Sequence, residues 1–159
     1  MSQVQKNSRV EVEVDATVQQ VWDVISDVTR IGEWSHECHS ARWLGNAHGP
    51  VPGARFCGRN LAGWARWSRI SEIVTVDPPR EIVWRTVPTR LFPDSTQWRI
   101  RLEPREGRTL ITQSFKVLRA PWLLDRLYAR LIPAHQDRDA RLAEDLARVG
   151  LAARAGEQT

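Results

Sequence analysis

The chain has 159 residues, 42% hydrophobic and 26% charged, which suits one domain with its own apolar core. No apolar run approaches the ~20 residues of a membrane-spanning helix, and two cysteines, Cys38 and Cys57, make no disulfide framework. The formal charge is +4, but the 21 Arg and 2 Lys are scattered among Asp and Glu with no basic run, which argues against a dedicated nucleic-acid surface.

Reading along the chain, MSQVQKNSRVEVEVD carries no apolar stretch of the signal-peptide kind, so the cytoplasm is the expected compartment. Within it RVEVEV alternates: Val10, Val12 and Val14 point one way and Glu11 and Glu13 the other, the pattern of a half-buried strand. DATVQQVWDVISD follows, with Asp15 or Thr17 as helix cap and Val18, Val21, Trp22 and Ile25 at helical spacing. RIGEW predicts a second short helical turn containing Gly32. From residue 36 to 118 the chain reads as six strands separated by Gly- and Pro-containing turns, hence an antiparallel sheet. After Pro121, apolar residues from Leu123 to Val149 recur at three- and four-residue steps. That predicts one amphipathic helix of roughly 30 residues, kinked at Pro133.

The expected fold is therefore α+β. A curved seven-stranded antiparallel sheet wraps around a long C-terminal helix, and two short helices follow the first strand. Residues 1–159 form a single domain with an ordered core from about 9 to 150 and short flexible tails. One helix cannot fill the concavity of such a sheet, so a cavity is expected between them.

The element order, with VEVDATVQQVWDVISDVTRIGEWS, ARWLG, GPVPGARFCGRN and the C-terminal helical stretch, resembles the START-related helix-grip (SRPBCC, Bet v 1-like) superfamily. Within it the chain is most similar to the polyketide cyclase/dehydrase-like group. The resemblance implies an internal cavity for a hydrophobic small molecule, lipid or polyketide-like. It also implies, as the alternative, a cyclase, aromatase or dehydrase acting in the same cavity. The tyrosine-bearing patterns of the better-defined cyclases are absent, since the single Tyr, Tyr128, lies in the last helical stretch.

His36, Glu37, Cys38 and His39 are adjacent and are all metal-ligand types. On a strand they alternate sides, His36 with Cys38 and Glu37 with His39, so they cannot converge on one ion. Their spacings match no zinc pattern, and no metal or cofactor is expected. No Gly-rich phosphate loop or nucleophile elbow is present.

Eight Trp residues are the compositional anomaly. Strand alternation puts Trp67, Arg69, Ser71 and Ile73 on one face of the fourth strand. It puts Ile82, Trp84 and Thr86 together on the fifth, and Thr96, Trp98, Ile100 and Leu102 on the sixth. On the seventh, Ile111, Phe115 and Val117 are favoured over Leu110, Thr112 and Ser114. The candidate ligand-binding residues are Trp34, Trp67, Trp84, Trp98, Ile100, Phe115, Leu127 and Leu131. The candidate catalytic residues are Arg69 and Ser71, as stabilisers of oxyanion charge, and His135, as a proton shuttle. A bulge in the long fourth strand would instead turn Arg69 outward. The expected partner is a hydrophobic small molecule, with no nucleic acid and no stable membrane insertion, on a monomer or homodimer.

Overall fold

A computed structural model describes residues 5–132 and 137–156. Seven strands form one sheet: β1 (Asn7–Val14), β2 (Cys38–Trp43), β3 (Arg55–Ala62), β4 (Ala65–Asp77), β5 (Glu81–Thr86), β6 (Ser95–Arg105) and β7 (Arg108–Arg119). Their spatial order is β1-β7-β6-β5-β4-β3-β2, with every pair antiparallel. Strands β2 to β7 are thus consecutive hairpins, and β1 adds to the far side of β7.

Helix α1 (Val18–Ile25) and a short 3-10 helix (Val28–Glu33) carry the chain from one edge of the sheet to the other. Thr17 caps α1 through a reciprocal pair: its hydroxyl accepts from the Gln20 backbone N–H (3.2 Å), and its own N–H donates to Gln20 Oε1 (2.7 Å). Asp27 caps the 3-10 helix by accepting from the Thr29 N–H. Gly32 lies so close to β2 that a Cβ there would sit 2.2 Å from the His39 carbonyl oxygen. No larger residue fits without displacing backbone.

The C-terminal apolar stripe becomes two helices rather than one kinked helix: α2 (Trp122–Leu131) and α3 (Asp139–Ala155). Helix α2 ends with Ile132 out of the helical region (φ −129°, ψ 77°), immediately before Pro133 in the sequence, and a residue preceding proline is disfavoured in the helical conformation. Pro133 and His135 lie outside the described residues. Helix α3 packs on β1, β7 and α1. Its buried residues Leu146, Val149 and Ala153 continue a core containing Val21, Val24, Ile73, Ile82, Ile100 and Ile111. The approach is close at Gly150, where a Cβ would lie 2.7 Å from the Val14 side chain.

Strand faces follow the alternation. Ile82 pairs with Ile100, Trp84 with Trp98, Trp98 with Phe115 and Leu102 with Ile111. Strand β4 does carry a register shift, between Ile73 and Thr75. It falls beyond Arg69, which keeps the face of Ser71 and Ile73. The outer face is charged: Glu72 accepts from Arg55 and Arg85 of the two flanking strands.

Candidate functional site

Helices α1 and α3 cover one end of the concave face. Toward the other end α2 lies over the sheet, and between them is a cavity of about 380 Å³ that the start of α3 also borders. Trp34, Trp67, Trp84 and Trp98 line it, together with Arg69, Ser71 and Leu131. Trp84 and Trp98 are stacked with centroids 6.3 Å apart, and Trp98 leans on Phe115 at 4.9 Å. These rings form an apolar wall.

Three residues assigned to ligand contact from the sequence do not line the cavity. Ile100 is fully buried, one inward position further along β6 than Trp98, and belongs to the core that α1 covers. Phe115 is buried behind Trp98 and beneath the Arg138 guanidinium, 5.6 Å from its ring. It supports the wall without forming its surface. Leu127 is 47% exposed. The inward stripe of α2 runs through Leu124, Tyr128 and Leu131, and Leu127 lies one helical step of about 100° from Tyr128. His135 lies outside the described residues.

Arg69 is inward-facing and paired. Its Nη1 donates to Asp94 Oδ2 (2.9 Å), its Nη2 to the Asp94 carbonyl (3.0 Å), and its guanidinium lies 5.2 Å from the Phe92 ring centre. The β5–β6 loop therefore supplies both the counter-charge and an aromatic platform, which offsets the cost of burying a cation. Tyr128 of α2 is in the same lining. Burial raises its phenol pKa above the usual value; Asp94 adds to that and Arg69 opposes it.

A second guanidinium was not singled out from the sequence. Arg138, just before α3, donates to Glu37 at 3.3–3.4 Å and lies over Trp98 and Phe115. A Lys6–Asp125 ion pair ties the segment before β1 to α2. Gln113, also in the lining, faces inward from β7 and is buried. Among the described residues, the buried atoms Trp34 Nε1, Arg69 Nε, Asp94 Oδ1, Gln113 Oε1 and Arg138 Nε make no hydrogen bond. The lining residues thus combine indole rings with polar side chains, some of whose atoms are buried away from the cavity without a partner.

The segment from His36 to Cys38 departs from simple alternation because β2 begins only at Cys38. His36, Glu37 and Cys38 all border the cavity. His36 bonds through its ring to Asp145 of α3, while Glu37 bonds Arg138. Burial, with Glu37 adding, pushes the Cys38 thiol up to about 11, so it is a weak metal ligand and a poor nucleophile. Among the described residues, no three His, Cys, Asp or Glu side chains are grouped to hold a metal ion.

A family model described as polyketide cyclase / dehydrase and lipid transport matches residues 5–146. The chain belongs to this family. Solved structures similar to this polyketide cyclase/dehydrase family member share its fold. A protein from Nitrosomonas europaea aligns with TM-score 0.69 at 12% identity, covering 97% of each chain. A Polyketide_cyc-like protein from Corynebacterium glutamicum is 28% identical with TM-score 0.50, covering 95% of this chain and 83% of its own. A major latex-like protein from Panax ginseng aligns with TM-score 0.62 at 10% identity, covering 98% of this chain and 100% of its own. No curated protein matches the sequence. Among the described residues, no helix of this family member is long and apolar enough to cross a membrane.

Proposed function

We propose that the chain binds a hydrophobic small molecule, lipid or polyketide-like, in the cavity beneath α2. The observation that carries this reading is the cavity itself: about 380 Å³, walled by Trp34, Trp67, Trp84 and Trp98. That volume lies in the range of about 300–1,000 Å³ typical of small-molecule sites, and so does a mostly apolar lining with a few placed polar groups. The name of the matched family, which joins polyketide chemistry with lipid transport, supports the same ligand class. Burial of apolar surface would drive association, and the Arg69–Asp94 and Arg138–Glu37 pairs would orient any polar substituent.

A second reading, cyclisation or dehydration of the bound molecule, is favoured by the lining shared by Arg69, Ser71 and Tyr128. In that reading Arg69 holds a ligand oxygen and Ser71 and Tyr128 offer hydroxyls to it. Tryptophan fluorescence separates the two. Titration with a hydrophobic aromatic ligand should quench emission saturably, and Trp98→Phe should reduce the quench. Absence of saturable quenching by aromatic and fatty-acid probes at micromolar concentration would defeat both readings. If Arg69→Gln leaves the quench intact but abolishes conversion of a reactive polyketide-like ketone, the second is favoured.

A further inference from the structure

His36 was first notable as part of a metal-like run. The fold gives it a different arrangement. Asp145, in α3 and 2% exposed in its side chain, accepts from the His36 backbone N–H (2.9 Å) through Oδ1. Through Oδ2 it takes the His36 ring at Nδ1 (2.7 Å). Arg148 donates to the same carboxylate and, through Nε, to the Trp34 carbonyl (3.0 Å). Asp145 is therefore fixed from three directions. A carboxylate can only accept, so this contact holds the neutral imidazole as the Nδ1–H tautomer. The lone pair is then on Nε2, which makes no hydrogen bond with any described residue, and His36 is among the residues that border the cavity.

We propose that His36 is the proton-transferring group of the cavity, with Asp145 as its positioning residue and a flat apolar ketone as its substrate class. The inference rests on the cavity reading above. In the step, a C–H bond next to the ketone carbonyl breaks and its proton passes to His36 Nε2. The C–H electron pair becomes a C=C bond, and the carbonyl π pair moves onto oxygen. Return of the proton to carbon or oxygen completes an enolisation or isomerisation. Nothing is oxidised, and no co-reactant is consumed. The developing oxyanion needs donors, and the same lining contains the donor-bearing side chains of Arg69, Ser71 and Tyr128. An imidazole oriented by a buried carboxylate at the edge of a largely apolar cavity suits general base catalysis.

The test uses 5-nitro-1,2-benzisoxazole, a flat apolar carbon acid. Loss of its C3 proton to a base forms a nitrile as the N–O bond breaks, releasing a coloured cyanonitrophenolate. The full chain should bind it, read by tryptophan quenching, and turn it over saturably. His36→Gln keeps an N–H donor for Asp145 and should still bind, with kcat at least tenfold lower. Asp145→Asn should lower kcat without changing KM, and the imidazole 15N shifts of His36 should change from one tautomer to a mixture. Equal turnover by wild type and His36→Gln, or quenching without turnover, overturns the proposal. Absence of quenching removes the cavity reading and this one with it.

Discussion

The concave face of one sheet is built in two ways. Where α1 and α3 cover it, Ile73, Ile82, Ile100, Ile111 and Leu146 interlock with at most 1% exposure. One or two inward positions further along the same strands, the residues become Ser71, Arg69, Trp84, Thr86, Trp98 and Thr96, and they border a cavity. Strand alternation decides which side chains face inward; the helix overhead decides whether that space is filled. Two helices fill the first half. Helix α2 covers the second, presenting Leu124, Tyr128 and Leu131 to the cavity while Trp122, Leu123 and Leu127 are exposed.

The sharpest way to break this comparison is to hollow the solid half. Leu146→Ala should cost about 2–5 kcal/mol in denaturant unfolding, as for large-to-small changes in a closed core. The quench by aromatic ligands should be retained wherever the variant is folded. Gly32→Ala acts at the boundary. Its methyl must displace β2 backbone at His39, costing about 1–3 kcal/mol. It should also weaken binding, because Trp34 and His36 follow directly. Asp94→Ala tests the hollow half: it leaves Arg69 without its carboxylate, and about 1–3 kcal/mol of lost stability is expected. Unfolding indistinguishable from wild type would show that the pair does not operate in solution.

On the outer face, the hydrogen bond from Arg55 and then that from Arg85 hold the Glu72 carboxyl below its ordinary value of 4.5. The contribution is full above that ordinary value and lost as pH falls through the lowered folded one. Glu72→Gln should remove it, at under about 1 kcal/mol, and acid titration of the two proteins should converge at low pH. The smallest effect belongs to Leu127→Ala, within about 0.5 kcal/mol and with the quench unchanged. A clear loss of binding there would return Leu127 to the cavity wall.

How much of this was legible in the sequence depended on the range of the signal. Period-two alternation is local, so the inward placement of Trp67, Arg69, Ser71, Trp84 and Trp98 could be read directly. Leu127 was misplaced because an apolar stripe at three- and four-residue steps marks a broad helix face, and one step of rotation separates lining from solvent. Ile100 was misplaced because alternation gives the face and not the covering element. Gln113 was passed over when polar residues of β7 were set against apolar ones, although it shares the inward face with Ile111 and Phe115. The partners of the buried charges were invisible. Asp94 is in a loop 25 residues from Arg69, and Asp145 is 109 residues from His36. Only the closure of the sheet and the return of α3 bring such pairs together.

The pairing of β1 with β7, with Val12 opposite Ile111, also sets an order of events during synthesis. Strand β1 is made about a hundred residues before the β7 strand it pairs with. Until then a short Val-rich ribbon has an unsatisfied backbone, open to other chains. Its alternate glutamates, Glu11 and Glu13, would repel a second copy laid alongside in that interval.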